Sequence, residues 1–143
     1  MAPTHRFFDH TGDYGVDLEG DDLEEVFEAL THAFLDLLTG APESVVVSEE
    51  RAVGVRGMDE VDLLVNFGNE LLFLFEMGFL AAGLVVEEVL EEGDDLTPAG
   101  RLRGEPFDPE RHPIARPMKA VTHHQASLVE GATSARARLV FDL

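Results

Sequence analysis

The strongest constraint on the fold is an apolar pattern of helical period between residues 21 and 40. The apolar residues that fall on one helical face are Leu23, Val26, Phe27, Leu30, Phe34, Leu37 and Leu38. Asp21, with Glu24 three residues later, has the spacing of a capping box at the start of a helix. Gly40 suits the left-handed residue that ends many helices. The pattern therefore predicts an amphipathic helix over residues 21–39.

A second helical pattern covers residues 59–77, with Gly78 as its stop. Its apolar side consists of Val61, Leu64, Val65, Leu71, Leu72 and Phe75. The polar residues that recur at helical spacing on another side are Asp62, Asn66, Asn69 and Glu70. This segment is typical of a helix that packs against a core on one side only.

Most of the remaining chain has the pattern of strands. Residues 5–9 and 15–19 indicate short strands around a turn at residues 11–13, and residues 45–47 and 52–56 indicate a strand pair. Residues 79–89 form a long apolar segment, residues 102–104 a short strand, and residues 117–129 and 135–141 a hairpin across Glu130-Gly131. Three prolines mark residues 105–116 as a loop. Few parallel βαβ signals occur, so we expect one α+β domain over residues 1–143, with two main helices packed on a largely antiparallel β-sheet.

The composition and the missing motifs exclude several classes of protein. The chain has no cysteine, which excludes disulfides, thiol nucleophiles and thiolate zinc sites. It has no P-loop, no GxGxxG after a strand, no GxSxG and no HExxH. The N-terminal residues lack the apolar stretch of a signal peptide, and no apolar run reaches the length needed to span a membrane. We therefore expect a cytoplasmic protein without a membrane partner.

The charge is strongly negative and unevenly spread. The net charge is −19, and seven of the ten basic residues lie within residues 101–143. Those basic residues are interpreted as partners of nearby acids. Stable direct binding of nucleic acid is not expected, because phosphate contacts need a basic surface. Lys119 is the only lysine. Two explanations of this bias stay open, a host with high internal salt and a genome that favours arginine codons.

Three polar residues at turns or chain ends are candidates for chemistry. Asp13 lies in a glycine-containing turn, where a carboxylate and backbone carbonyls can bind a hard cation. Judged by residue type alone, a plain turn is the better interpretation, because turns use aspartate freely. Asp142 precedes the terminal carboxylate of Leu143, and two adjacent anions favour a cation beside them, although a solvated tail is the plain alternative. Lys119 is a surface lysine, or a lysine kept for its specific chemistry.

Five elements, in order along nearly the whole chain, resemble the archease family. They are His10-Thr11-Gly12-Asp13 before Gly15, Asn69-Glu70-Leu71-Leu72, Gly104-Glu105 with Arg111-His112, Lys119-Ala120-Val121-Thr122-His123-His124, and Phe141-Asp142-Leu143. Three positions depart from the family pattern: Gly12 replaces alanine, His123 replaces tyrosine and Gly68 replaces leucine.

The resemblance implies a function and a set of site residues. Archeases assist the RtcB-type RNA ligase by promoting its loading with GMP and its multiple turnovers, so the chain is expected to be a non-catalytic, metal-binding accessory factor in tRNA splicing or RNA repair. The family's metal ligands correspond to Asp13, Asp142 and Leu143, with calcium as the expected ion and manganese or magnesium as alternatives. Lys119 is expected near the metal or the ligase's nucleotide, and His10 on the partner-facing surface.

Two functions of other classes stay open. One is a stand-alone metal-dependent nucleotide hydrolase, in which Asp13, Asp142 and Lys119 serve a bound metal and a phosphate. The other is a chaperone-like binding module for nucleic-acid enzymes.

Overall fold

Helix α1 (Leu23–Thr39) has capping bonds at both ends. The side chain of Asp22 accepts a hydrogen bond from the Glu25 N–H at 2.9 Å, and the Glu25 carboxylate accepts one from the Asp21 N–H at 2.7 Å. This capping pair lies one residue later than the sequence predicts. Gly40 ends the helix with φ 66°, and its N–H donates to the Asp36 carbonyl. The predicted helix is thus confirmed, with its first residue corrected.

Helix α2 (Glu60–Glu76) matches the second predicted helix. Asp59 caps its N-terminus by accepting from the Asp62 N–H at 2.7 Å, and the chain turns away at Gly78 with φ 98°. The residues that α2 buries are Leu63, Leu64, Val65, Phe67, Gly68, Leu71 and Leu72. The helix therefore has one buried side, as its apolar spacing predicts.

The computed structural model describes residues 3–10, 13–92 and 95–143, in which seven strands form two antiparallel sheets. The strands are β1 (Thr4–His10), β2 (Asp13–Gly20), β3 (Glu49–Val53), β4 (Phe79–Glu92), β5 (Asp95–Pro106), β6 (Ala120–Glu130) and β7 (Ala135–Asp142). The four-stranded sheet has the order β1-β2-β7-β6, and the three-stranded sheet has the order β3-β5-β4. The expected α+β class is confirmed, although the strands form two sheets.

Helix α1 is buried because it packs on strands of both sheets. It contacts β1, β2 and β7 of the four-stranded sheet and β4 of the three-stranded sheet, while α2 packs mainly on β6 and β4. The largest fully buried side chains on helices and strands include Phe27, Phe34, Phe67, Phe79 and Phe141. Residues off the predicted apolar face of α1 are therefore buried as well; they include Ala29, Thr31, Ala33 and Leu35.

The predicted pairing of residues 45–47 with 52–56 is wrong. A 3-10 turn at Pro42–Ser44 precedes the three valines, which form no strand, and the side chain of Val46 is 64 % exposed. Strand β3 starts only at Glu49 and pairs with β5. The short strand predicted at residues 102–104 is the later part of the long strand β5, which pairs on both sides. The local pairing does not form because β3 makes its backbone hydrogen bonds with β5, which is distant in sequence.

Neither helix of the described residues is long and apolar enough to cross a membrane.

Candidate functional site

Two of the predicted metal ligands lie directly opposite each other in adjacent antiparallel strands. Strand β2 begins at Asp13, strand β7 ends at Asp142, and the two residues are partners in the ladder. Opposite residues project from the same face of a sheet, with their Cβ atoms about 4.5–5.5 Å apart. Both aspartates are half-buried. The fold thus brings two carboxylates from near opposite ends of the chain to one end of the four-stranded sheet.

The other predicted site residues lie at the same end of this sheet. The backbone N–H of Lys119 donates to the Asp142 carbonyl at 2.8 Å, and the Lys119 side chain is exposed. Leu143 follows Asp142, is half-buried and packs against the core. His10 pairs with Asp13 through the β1–β2 ladder. The side chain of His10 and all of residues 11–12 lie outside the described part of the chain.

Alternation along a strand predicts that Lys119, Val121 and His123 share one face. The Val121 side chain lies against Gly68 and the His123 ring bonds Asp62, so both of these side chains face α2. Strand β6 starts after Lys119, and its register with β7 shifts between Thr122 and Ser127.

The donor atoms gathered here are oxygens. Carboxylate and carbonyl oxygens are the ligands that hard divalent cations such as calcium prefer. Like charges directly opposite each other in a sheet are destabilising, and a bound cation would remove that repulsion. Among the described residues, no group of three or more His, Asp or Glu side chains is arranged to hold a metal. A cation at Asp13 and Asp142 would therefore need further oxygens from the backbone, from water or from a partner.

A buried polar network, seen in the sequence only as two dipeptides, fixes the loop that leads to Lys119. Glu105 is 3 % exposed and His112 is 1 % exposed. Glu105 Oε1 accepts a hydrogen bond from the His112 ring and another from Arg111 Nη2, the latter at 2.6 Å. Glu105 Oε2 accepts from the Val46 N–H at 3.3 Å. This one carboxylate therefore joins the end of β5 to the loop on one side and to the segment before β3 on the other.

Hydrogen-bond geometry assigns the tautomer of His112. Its Nδ1 accepts from the Asp108 N–H at 2.9 Å, so the proton of the neutral ring is on Nε2, which faces Glu105. Burial alone would raise the pKa of the Glu105 carboxyl, but the bonds from His112 and Arg111 outweigh it and hold that pKa below its ordinary value. The network is therefore built around a charged carboxylate.

A second charged contact joins the start of α2 to β6. His123 Nε2 lies 2.9 Å from Asp62 Oδ1, and Asp62 Oδ2 accepts from the Met58 N–H at 3.0 Å. The Met58 N–H, together with the His123 ring, holds the pKa of the Asp62 carboxyl below its ordinary value. His123, which departs from the family pattern, thus contacts α2.

The basic residues near the end of the sequence form cross-strand ion pairs, as the charge pattern suggests. Arg138 binds both carboxylate oxygens of Asp17, at 2.7 and 3.0 Å, and Arg136 lies 3.3 Å from Glu19. Arg101 and Arg103 both approach Glu50. These contacts account for most of the local excess of arginine through pairing with acids.

Comparison with known proteins identifies the family. The model of the Archease protein family (MTH1598/TM1083) matches residues 5–143. Protein archease of Archaeoglobus fulgidus is 39% identical over 123 residues, which are 85% of each chain. Protein archease of Methanothermobacter thermautotrophicus is 34% identical over 138 residues, which cover 96% of this chain and 97% of that protein.

Solved structures also match this chain over nearly its whole length. The solution structure of protein 1598 of Methanobacterium thermoautotrophicum has a TM-score of 0.80 and 33% identity and covers 97% of this chain and 98% of its own. The crystal structure of a Thermotoga maritima archease, described as a possible chaperone, has a TM-score of 0.57 and 19% identity, covers 95% of this chain and 94% of its own, and shows the fold alone. Sequence and fold together place this chain in the archease family.

Proposed function

We propose that this protein is an accessory factor, without catalysis of its own, that stimulates guanylylation and turnover of an RtcB-type RNA ligase in tRNA splicing or RNA repair. Membership of the archease family gives the class of protein. The observation that carries the proposal is the meeting of Asp13, Asp142 and the Lys119 backbone at one end of the four-stranded sheet. The partner is the ligase, and no stable contact with RNA alone is required.

In this proposal Asp13 and Asp142 bind a divalent cation, with calcium as the expected ion and manganese or magnesium as alternatives. Their ladder pairing supplies two carboxylates on one face, and Leu143 supplies a further oxygen. Calcium takes about six to eight oxygen ligands, so water or an oxygen of the ligase would complete the shell. The cation would order the end of the sheet and present it to the partner.

Lys119 is the residue proposed to contact the ligase's nucleotide. Its side chain is exposed, and its backbone is bonded to Asp142, so it lies beside the proposed metal. An ammonium group binds phosphate as a point charge on a flexible stem, which suits a group that reaches into another protein. His10, whose backbone pairs with Asp13, is proposed to face the partner beside it.

Ligase guanylylation tests the proposal. The rate of ligase–GMP formation and the number of RNA joints per ligase would be measured with the wild type, with Asp13→Asn and with Glu19→Gln. Glu19→Gln is the matched control, because it removes one charge from the far end of the same strand, where Glu19 pairs with Arg136. We expect wild type and Glu19→Gln to stimulate equally and Asp13→Asn to lose at least about ten-fold, or about 1.4 kcal/mol of coupling.

The alternative functions predict different results in these measurements. An inert wild-type protein in this assay would reject the ligase role. Full stimulation by Asp13→Asn would reject the metal role while leaving the ligase role in place. Release of GMP or phosphate from GTP by the protein alone would assign a hydrolase instead.

A further inference from the structure

Helix α2 meets strand β6 through one side-chain amide that bonds both backbone groups of a single strand residue. Asn69 Oδ1 accepts from the Val121 N–H at 2.9 Å, and Asn69 Nδ2 donates to the Val121 carbonyl at 2.9 Å. The same Nδ2 also donates to the Val65 carbonyl at 3.2 Å. The amide orientation is thereby defined, because only the nitrogen can donate to two carbonyls.

The residue before Asn69 lets the helix approach β6 closely. A Cβ added at Gly68 would lie 2.8 Å from Val121 Cγ2 and 3.2 Å from two further carbons of that side chain. Glycine inside a helix is unfavourable relative to alanine, so its presence here needs a packing reason. The close approach to Val121 supplies that reason and sets the distance at which the Asn69 amide reaches the strand.

The strand segment that Asn69 holds has few other partners. Among the residues that the structure describes, β6 lies at the edge of the four-stranded sheet and has β7 as its one strand neighbour. Before the register shift, β6 pairs with β7 only through Ala120, Val121 and Thr122. An edge strand leaves backbone N–H and carbonyl groups without a strand partner. At Val121 the amide of Asn69 takes the place of that missing strand.

This short segment leads directly to the proposed site. Lys119 immediately precedes it, the Lys119 N–H bonds to the Asp142 carbonyl, and Ala120 is the ladder partner of Asp142. A shift of Val121 away from β7 would therefore move Lys119 relative to Asp142. Asn69 touches neither Lys119 nor Asp142 in any of its three side-chain bonds.

We infer that Asn69 is a positioning residue: its amide holds Val121 so that Lys119 stays in register with Asp142. The inference rests on the proposed function for its consequence in ligase stimulation, but the positioning itself is independent of any partner. It assigns Asn69 and Gly68 a joint role, in which one residue supplies the bonds and the other the close approach.

Amide hydrogen exchange tests the positioning, with Asn69→Asp as the variant and Asn66→Asp as its matched control. An aspartate at position 69 can still accept from the Val121 N–H but cannot donate to the carbonyls of Val121 and Val65. Asn66 is on the same helix, and its amide donates to the Arg56 carbonyl at 2.8 Å. Both variants add one negative charge to α2. Only the Asn69 amide bonds backbone groups of β6, whereas Asn66 reaches β6 only through Asp62, which bonds the His123 side chain.

We expect Asn69→Asp to speed exchange of the Lys119 amide by at least about ten-fold while α1 amides keep wild-type protection. Asn66→Asp should leave the Lys119 amide unchanged. In the ligase assay, Asn69→Asp should lose at least about ten-fold of the stimulation, because small displacements of a functional group are costly. A variant that merely weakens the fold would speed exchange in the core as well.

Two results would overturn the inference: equal Lys119 exchange in the two variants, or faster exchange that is uniform over the chain. If the wild type fails to stimulate the ligase, the proposed function is rejected, and the exchange data still decide the positioning. Should Asn69→Asp not fold, Gly68→Ala replaces it, since its new Cβ displaces Val121 while alanine favours the helix. Unchanged Lys119 exchange in a folded Gly68→Ala protein would then count against the inference.

Discussion

The carboxylate pair formed by Asp13 and Asp142 leads to a prediction in which calcium reverses the order of stability of two proteins. Replacement of Asp13 by asparagine keeps the size of the side chain and removes one of two like charges that oppose each other in the ladder. Without cation, the variant should be more stable than the wild type. With cation, the wild type should be the more stable protein, because it alone has both charged ligands.

The size of the repulsion follows from the distance that the ladder register sets between the two carboxylates. Two charges about 5 Å apart repel by about 0.8 kcal/mol in water and by about 3 kcal/mol at an effective dielectric constant of about 20. Both residues are half-buried, so we take about 1 kcal/mol, which corresponds to a rise of roughly 3 °C in Tm for a chain of this size. Calcium at about 100 times its Kd would stabilise the wild type by about 2.7 kcal/mol. The difference between the two proteins should therefore change sign.

Thermal unfolding followed by circular dichroism, in chelator and in calcium, measures both values. A chain of net charge −19 attracts divalent cations over its whole surface. The informative quantity is therefore the calcium response of Asp13→Asn compared with that of Glu19→Gln, which should match the wild type. The reasoning is refuted if Asp13→Asn is the less stable protein in chelator and also gains as much from calcium as the control.

Three further predictions concern the loop and the site. Glu105→Gln should lower the free energy of unfolding by about 1.5–3 kcal/mol at pH 7, because it removes a buried charged acceptor. The folded-state pKa of Glu105 is depressed, so the stability that its charged carboxylate contributes is fully present above the ordinary pKa of about 4.5 and is lost as pH falls through the folded pKa. Urea unfolding at pH 7 and pH 3 should therefore show the difference in unfolding free energy between wild type and Glu105→Gln becoming smaller at pH 3. A difference that stays constant would contradict this. Lys119→Arg should keep the calcium response by calorimetry yet lose ligase stimulation, because arginine keeps the charge but not the compact ammonium; full stimulation would reject a specific role for the amine. Residues added after Leu143 should weaken calcium binding by about ten-fold or more, whereas an N-terminal tag should not; equal affinities would remove Leu143 from the ligand set.

Local sequence patterns predicted both helices because the forces that form a helix act over a few residues. The apolar period of α1 and its glycine stop, and the one-sided pattern of α2, are encoded within about four positions along the chain. The hairpin of β6 and β7 was predictable for the same reason, since its strands are close in sequence. The strand predicted at residues 45–47 was wrong because three valines favour a strand wherever they occur. The strand that supplies the ladder partner in this region, β5, lies far along the chain.

The site was predictable as a set of residues and not as an arrangement. Taken singly, Asp13 has the features of a turn aspartate and Asp142 those of a tail, and only the family resemblance grouped them. Asn69 stood out in the sequence only as a polar residue at helical spacing on the second helix and as the first residue of one family element. Its bonds to Val121 depend on how closely α2 approaches β6, which no local pattern specifies.

The sequence by itself determined the two helices to within two residues at each end, most strand positions and the identity of the family. The tertiary structure decided that β2 pairs with β7 so that Asp13 opposes Asp142, that β5 lies between β3 and β4, and that Asn69 holds the edge of β6. The physical reason is the distance along the chain over which each kind of interaction acts. Period and capping are local properties, whereas strand partners and side-chain contacts between distant segments are selected by burial of the common core, which forms only when the whole chain is folded.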